Sequence, residues 1–277
     1  MKNNILSVTF AGIFFFVLSS CSDNDSDNPS GTEDSYVSSS SNVISSAASS
    51  ESADGIPLDS NGFADIQAVY QSIQPDEKAI FILRHGQRGG HTSKETPLTE
   101  DGVEQAKSVG EKLKSTEEFY YLSTDFVRTE ETCRNIAIGR EQTTFPYDTN
   151  NTFTSSAYIK DRDKFKEYTS LNGNNSNMII SQWAYKGDYA DAFYNLKETC
   201  ESIITDSFKS VQNRITIICS HDEFLVPMIA YLTDGKADVK LYETYKWLYY
   251  LAGVAIIVDE KGNRRSYATK GLAKGAL

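Results

Sequence analysis

The stretch FILRHGQRGG (81–90) sets one of only three histidines between two arginines, at the point where an apolar run stops. Two other segments have the same character: STDFVRT (123–129) and CSHDE (219–223). Together they supply Arg84, His85, Arg88, Arg128, His221 and Asp222. Fixed guanidiniums hold a planar or tetrahedral oxyanion through paired, charge-assisted hydrogen bonds. Two imidazoles beside them offer a nucleophile and a further donor, and a carboxylate offers a proton. This set suits phosphoryl transfer through a phosphohistidine, which needs charge neutralised on the equatorial oxygens, an in-line nucleophile and an acid for the leaving oxygen.

Such a set works only if the fold gathers it at one place. KAIFIL (78–83), FYYLST (119–124) and RITIICS (214–220) read as short buried strands, and each runs into one of the three segments. PLTEDGVEQAKSVGEKL (97–113) reads as a helix capped by Thr99, with Glu100 and Asp101 at its positive end and Val103, Ala106, Val109 and Leu113 on one face. RTEETCRNIAIG (128–139) reads as a helix that Gly139 closes, and residues 191–211 as a long helix with Phe193, Leu196, Cys200, Ile204 and Phe208 at helical spacing. EFLVPMIAYL (223–232) follows as a helix with Pro227 in its first turn. AGVAIIVDE (252–260) enters a hairpin with 265–269. Residues 140–185, rich in Asn, Thr and Ser, have no legible period. The alternation predicts an α/β three-layer sandwich, a mostly parallel central sheet flanked by helices, with its site beyond the carboxyl ends of the strands.

LRHGQR, PLTEDGVEQA, STDFVRTEET and CSHDE, in that order, resemble the histidine phosphatase superfamily, the phosphoglycerate mutase-like fold. The resemblance runs from about Ala79 to Ile257. It implies that His85 takes the phosphoryl group, that Arg84 and Arg128 are the phosphate-pocket arginines, and that His221 is the second pocket histidine. Arg88 matches an accessory phosphate contact. Asp222 matches the proton donor of the acid-phosphatase branch, and Gly86 lets the backbone approach closely after the strand. The implied enzyme is a phosphoric monoester hydrolase, histidine acid phosphatase-like, acting on a small phosphorylated substrate with no cofactor and no metal. Two features depart from that branch: Gly89-Gly90 replaces x-Pro, and the folded part has the length of the smaller mutase-like branch. That branch draws its acid from between the second Arg and the second His, where Asp161, Asp163 and Glu167 lie. Asp222 is therefore the first candidate for the acid, with Asp161 or Asp163 in reserve. A phosphotransferase or mutase, and a non-catalytic surface module that binds an anionic ligand, are the rival functions.

His91 reads as a loop residue at the pocket rim, since no carboxylate or thiolate spacing supports a metal site with His85 and His221. Ser220-His221-Asp222 is no triad, because neighbours along a strand point to opposite faces. The aromatic run YETYKWLYY (242–250) reads as core or a hairpin face, with an exposed partner or glycan patch as the alternative.

The N-terminus has another character. Lys2 precedes an apolar stretch of signal-peptide length, too short to span a bilayer comfortably, and LSSC (18–21) resembles a bacterial lipobox. The resemblance implies a signal peptide over 1–20 and lipidation of Cys21, hence an exported bacterial lipoprotein, periplasmic or cell-surface, held on a membrane by its anchor. From 22 to 62 there are 14 Ser and eight acidic residues with no Lys or Arg, so 21–62 reads as lipidated Cys plus disordered tether and 63–277 as the folded domain. The chain is formally −11, but from Phe63 onward 26 basic residues face 30 acidic ones, so no basic nucleic-acid-binding face is suggested. Cys133, Cys200 and Cys219 match no metal motif and read as buried thiols.

Overall fold

The computed structural model describes residues 51–276 apart from 53, 211 and 242–245. The expected signal peptide, Cys21, the expected tether as far as residue 50 and four residues of the aromatic run lie outside the described residues.

Seven strands form one sheet: β1 (Phe63–Asp65), β2 (Lys78–Arg84), β3 (Tyr120–Ser123), β4 (Tyr147–Thr149), β5 (Ile215–Ser220), β6 (Gly253–Val258) and β7 (Arg264–Lys270). Their order is β1-β7-β6-β2-β5-β3-β4. β2, β5, β3 and β4 run parallel, β1 is parallel to β7, and β6 is antiparallel to both its neighbours. The β6–β7 hairpin closes where Asp259 Oδ1 accepts the N–H groups of Lys261 and Asn263 at 2.9 and 2.8 Å.

Alternate side chains of the strands feed two cores. Ile80, Ile82 and Ile218 face one side, against α5 (Ser176–Lys186), α6 (Leu196–Ser210) and α7 (Asp222–Leu232). Phe81, Leu83, Ile217 and Cys219 face the other, against α1 (Ile66–Gln71), α2 (Glu100–Lys112) and α3 (Val127–Gly139). This is the expected sandwich. Cys133, Cys200 and Cys219 are free and buried, and Trp247 and Leu248 of the aromatic run are core.

Several elements differ from expectation. The helix expected over 191–211 begins at Leu196, because Asn195 Oδ1 caps it by accepting the Glu198 N–H at 3.1 Å. Before it comes a 3-10 turn, Ala190–Ala192, and Phe193 is buried by stacking on Trp183 with ring centroids 4.2 Å apart. Gly139 does not close α3, since Arg140 continues in right-handed helical geometry; a Cβ on Gly139 would lie 2.0 Å from Lys107 O, so the glycine lets α2 and α3 touch. Pro227 falls in the second turn of α7. Residues 54–62, assigned to the tether by composition, are folded: Ile56 is buried, Leu58 bridges to Ala64, and Tyr267 donates to Asp54 at 2.5 Å. Two apolar anchors suffice there, and the Ser and Asp count concealed them. The illegible segment holds β4, a 3-10 turn (Ser155–Ala157), α4 (Arg162–Leu171) and α5.

Candidate active site

The parallel registers of β2, β5 and β3 bring RHGQR, SHDE and STDFVRT to one edge. Arg84 lies opposite Ser220, and the His85 N–H donates to Ser220 O at 3.0 Å. His85 is only 2% exposed. Its Nδ1–H donates to Gly86 O at 2.8 Å, so the ring carries its free lone pair on Nε2. Burial lowers its pKa well below the ordinary imidazole value, the Gly86 carbonyl opposes this, and Arg84, His221 and Arg128 add to it. The ring is therefore a neutral base at neutral pH.

The loop after β2 is pressed onto the start of α2. A Cβ on Gly86 would meet Gly102 O at 2.8 Å, and one on Gly102 would meet Gln87 O at 2.1 Å. Thr99 caps α2 through a 3.1 Å bond from the Gly102 N–H, while its own hydroxyl donates to Gln87 Oε1 at 2.9 Å. The PLTEDG motif thus builds the floor under His85.

His221 stands at the N-cap of α7, with Nε2 3.0 Å from Thr124 Oγ1 and its ring edge-on to Phe126 at 4.6 Å and to His85 at 5.5 Å. Burial brings its pKa from 6.5 down to about 4; Arg128 adds to this, Asp222 opposes it, and Arg84 and Arg88 contribute in the same lowering sense.

Three guanidiniums surround the rings. Arg84 Nη2 pairs with Asp222 Oδ2 at 2.8 Å, its Nη1 donates to Leu248 O, and its head lies over the Tyr250 ring at 4.3 Å. Arg128 donates to Ser93 O at 2.8 Å and lies over Phe126 at 4.3 Å. Arg88 donates to Gly89 O and His91 O. Burial, then Arg88 and Arg84, pull the Arg128 pKa down to about 10 against the pull of Asp222, so it remains charged at neutral pH. The Nε–H groups of Arg84, Arg88 and Arg128 are all buried without a partner among the described residues. Three cationic side chains lining one cleft with two neutral imidazoles make an anion pocket.

Asp222, the first residue of α7, accepts from Trp247 Nε1 at 2.8 Å besides its pair with Arg84. Burial pushes its carboxyl up, but Arg84, the Trp247 N–H, His85 and the Glu223 N–H outweigh that and hold it below the usual range. A cleft of ≈ 410 Å³ is lined by all six predicted residues, with Thr92, Phe126, Thr154, Ser155, Asn177 and Glu223. His91 is exposed in the rim loop. Asp161 and Asp163 do not line the cleft: Asp161 caps α4 by accepting the N–H groups of Asp163 and Lys164, both at 3.1 Å. Glu167 is an exposed residue of the same helix. Sequence reasoning passed over Phe126, Trp247, Tyr250, Ser155, Asn177 and Glu223. Only Glu223, next to Asp222 in a helix's first turn, carried a readable signal.

Residues 80–265 match the family described as histidine phosphatase superfamily (branch 1). No curated protein matches the chain. Among solved structures, the phosphoglycerate mutase of Bacillus anthracis str. Sterne is 15% identical with a TM-score of 0.48, over 71% of this chain and 93% of that one. The alpha-ribazole phosphatase of Shigella flexneri is 18% identical with a TM-score of 0.43, over 71% and 98%. The phosphoserine phosphatase of Entamoeba histolytica, in complex with 3-phosphoglyceric acid, is 16% identical with a TM-score of 0.44, over 70% and 98%.

Proposed function

Because this chain belongs to the histidine phosphatase superfamily, we propose that it hydrolyses phosphomonoesters without a metal, through a phosphohistidine on His85. Support comes chiefly from one observation: His85, whose Nε2 carries the free lone pair, lines one cleft together with three guanidinium side chains and His221. Arg84, Arg88 and Arg128 bind the phosphoryl oxygens, and His221 supports the group in transfer.

In the first step His85 Nε2 attacks phosphorus in line. The N–P bond forms, the ester P–O bond breaks, and Asp222 in its acid form gives a proton to the leaving alkoxide. An incoming phosphoryl dianion competes for Arg84 and adds negative charge beside Asp222, and both effects raise the Asp222 pKa towards the acid form. In the second step the Asp222 carboxylate takes a proton from water. The hydroxide formed attacks phosphorus, the N–P bond breaks, and phosphate leaves.

Export completes the proposal. Residues 1–20 direct secretion and lipidated Cys21 holds the enzyme on a membrane.

The test is hydrolysis of p-nitrophenyl phosphate by the full-length chain between about pH 4 and 8, with chelator present, as acid–base catalysis predicts a pH-dependent rate. His85→Ala should lower kcat by about 1,000-fold or more, the scale of losing a nucleophile. Tight phosphate binding without turnover would replace the phosphatase by a binding module. Preferential transfer to an added alcohol over water would make it a phosphotransferase.

A further inference from the structure

The cleft holds a second carboxylate beside Asp222, that of Glu223. The charges acting most strongly on His221 and Arg128 include Arg84, Arg88 and Asp222, which groups the arginines around the phosphoryl position. Glu223, the second residue of α7, is anchored elsewhere. Its Oε2 accepts from Ser155 Oγ at 3.0 Å, in the 3-10 turn, and its Oε1 accepts from Ser176 Oγ at 2.6 Å, at the start of α5. Both oxygens are thereby oriented, and an ionised carboxylate has about four acceptor positions, so capacity towards the cleft remains. Thr154, Asn177 and Thr92 bring two hydroxyls and an amide to the same cleft. Lys94, near Phe126, is bound to Asp125. Among the described residues no lysine lines the cleft, so besides the arginines and Asp222 a bound substrate meets a fixed carboxylate and neutral polar groups.

The geometry points to Glu223 as the residue that selects the leaving group: it accepts hydrogen bonds from an uncharged, hydroxylated alcohol and repels a second negative charge. The substrates are then singly phosphorylated polyols or sugars, and esters that also carry a carboxylate or another phosphate are disfavoured. Like charges brought together cost affinity, and Ser155 and Ser176 keep the Glu223 oxygens satisfied when such a substrate is excluded. This inference rests on the phosphatase reading of the same cleft.

Glycerol 3-phosphate and 3-phosphoglycerate test it, since they share a three-carbon skeleton and differ in CH2OH against a carboxylate. For the full-length chain, kcat/KM should favour glycerol 3-phosphate by about tenfold or more, the scale of one charged contact. Glu223→Gln should bring that ratio down about tenfold, and Glu223→Lys should invert it. A wild-type preference for 3-phosphoglycerate, or a ratio unchanged in Glu223→Gln, overturns the inference. So does a fall shared equally by both alkyl esters and far smaller for p-nitrophenyl phosphate, which would make Glu223 the proton donor. If wild type turns over none of the three, the phosphatase reading fails. The ratio of the two dissociation constants, read by calorimetry in wild type and Glu223→Gln, then decides selectivity by the same criterion.

Discussion

Asp222 holds three hydrogen-bonding partners that favour its ionised form, Arg84, the Trp247 N–H and the Glu223 N–H. A proton donor so placed works only once substrate has drawn Arg84 away. The requirement for it also depends on the leaving group, because an alkoxide needs protonation as it departs and p-nitrophenolate does not. Asp222→Asn should therefore lower kcat for an alkyl phosphate by about 100- to 10,000-fold and for p-nitrophenyl phosphate far less. Equal losses on the two substrates, in paired steady-state assays, would remove Asp222 from the acid role. The Trp247 contact also explains why residues remote in sequence matter to the site: an indole donor 25 positions away fixes the rotamer of the carboxylate.

At the scale of elements, the loop that carries His85 is a passenger of α2. Gly102 sits inside that helix, where alanine would ordinarily add about 1 kcal/mol of helix stability. Here an alanine Cβ would fall 2.1 Å from Gln87 O, two residues after His85. Backbone cannot swing aside as a flexible side chain can, so the clash outweighs the propensity gain. Gly102→Ala should lower unfolding free energy by about 1–2 kcal/mol, the scale of overpacking. It should also cut kcat by moving His85 off line. Urea unfolding and steady-state rates check both, and a stabilised variant with wild-type kcat would show that the contact is slack. The α6 boundary illustrates the same competition between levels. Phe193 and Leu196 continue the helical spacing on paper, yet the Asn195 cap and the Phe193–Trp183 stack end it.

For the whole molecule, burying two neutral imidazoles among three arginines ties stability to pH. The folded chain holds His221 at about 4, and the ordinary value is 6.5. As pH falls through that window the unfolded chain takes up a proton that the folded chain refuses, so the stability present above pH 6.5 is progressively lost. His85, also lowered, acts in the same sense. Between neutral pH and about 4.5, His221 alone accounts for a loss of about 2 kcal/mol. His221→Asn should shed that part of the dependence in urea unfolding at the two pH values, and an identical pH dependence in the variant would refute it. Phosphate binding raises both imidazole pKa values, so it should shift acid unfolding to lower pH.

The sequence by itself determined five of the seven strands, the main helices around them and the placing of Arg84, His85, Arg88, Arg128, His221 and Asp222 at element ends that meet in one cleft, because each rests on local order. Strand ends, caps and motif spacing are properties of neighbouring residues, and a parallel sheet then brings strand ends to one edge. Only the tertiary structure decided which carboxylates reach the cleft. Asp161 and Asp163 look available in sequence, but they start a helix elsewhere, and Asp161 spends an oxygen on its cap. Glu223 gains its place from Ser155 and Ser176, which lie 68 and 47 residues away in a segment without periodicity. The folding of Ile56 and Leu58 onto the sheet was equally hidden, since two apolar residues in a serine-rich run make no pattern until a surface is there to receive them.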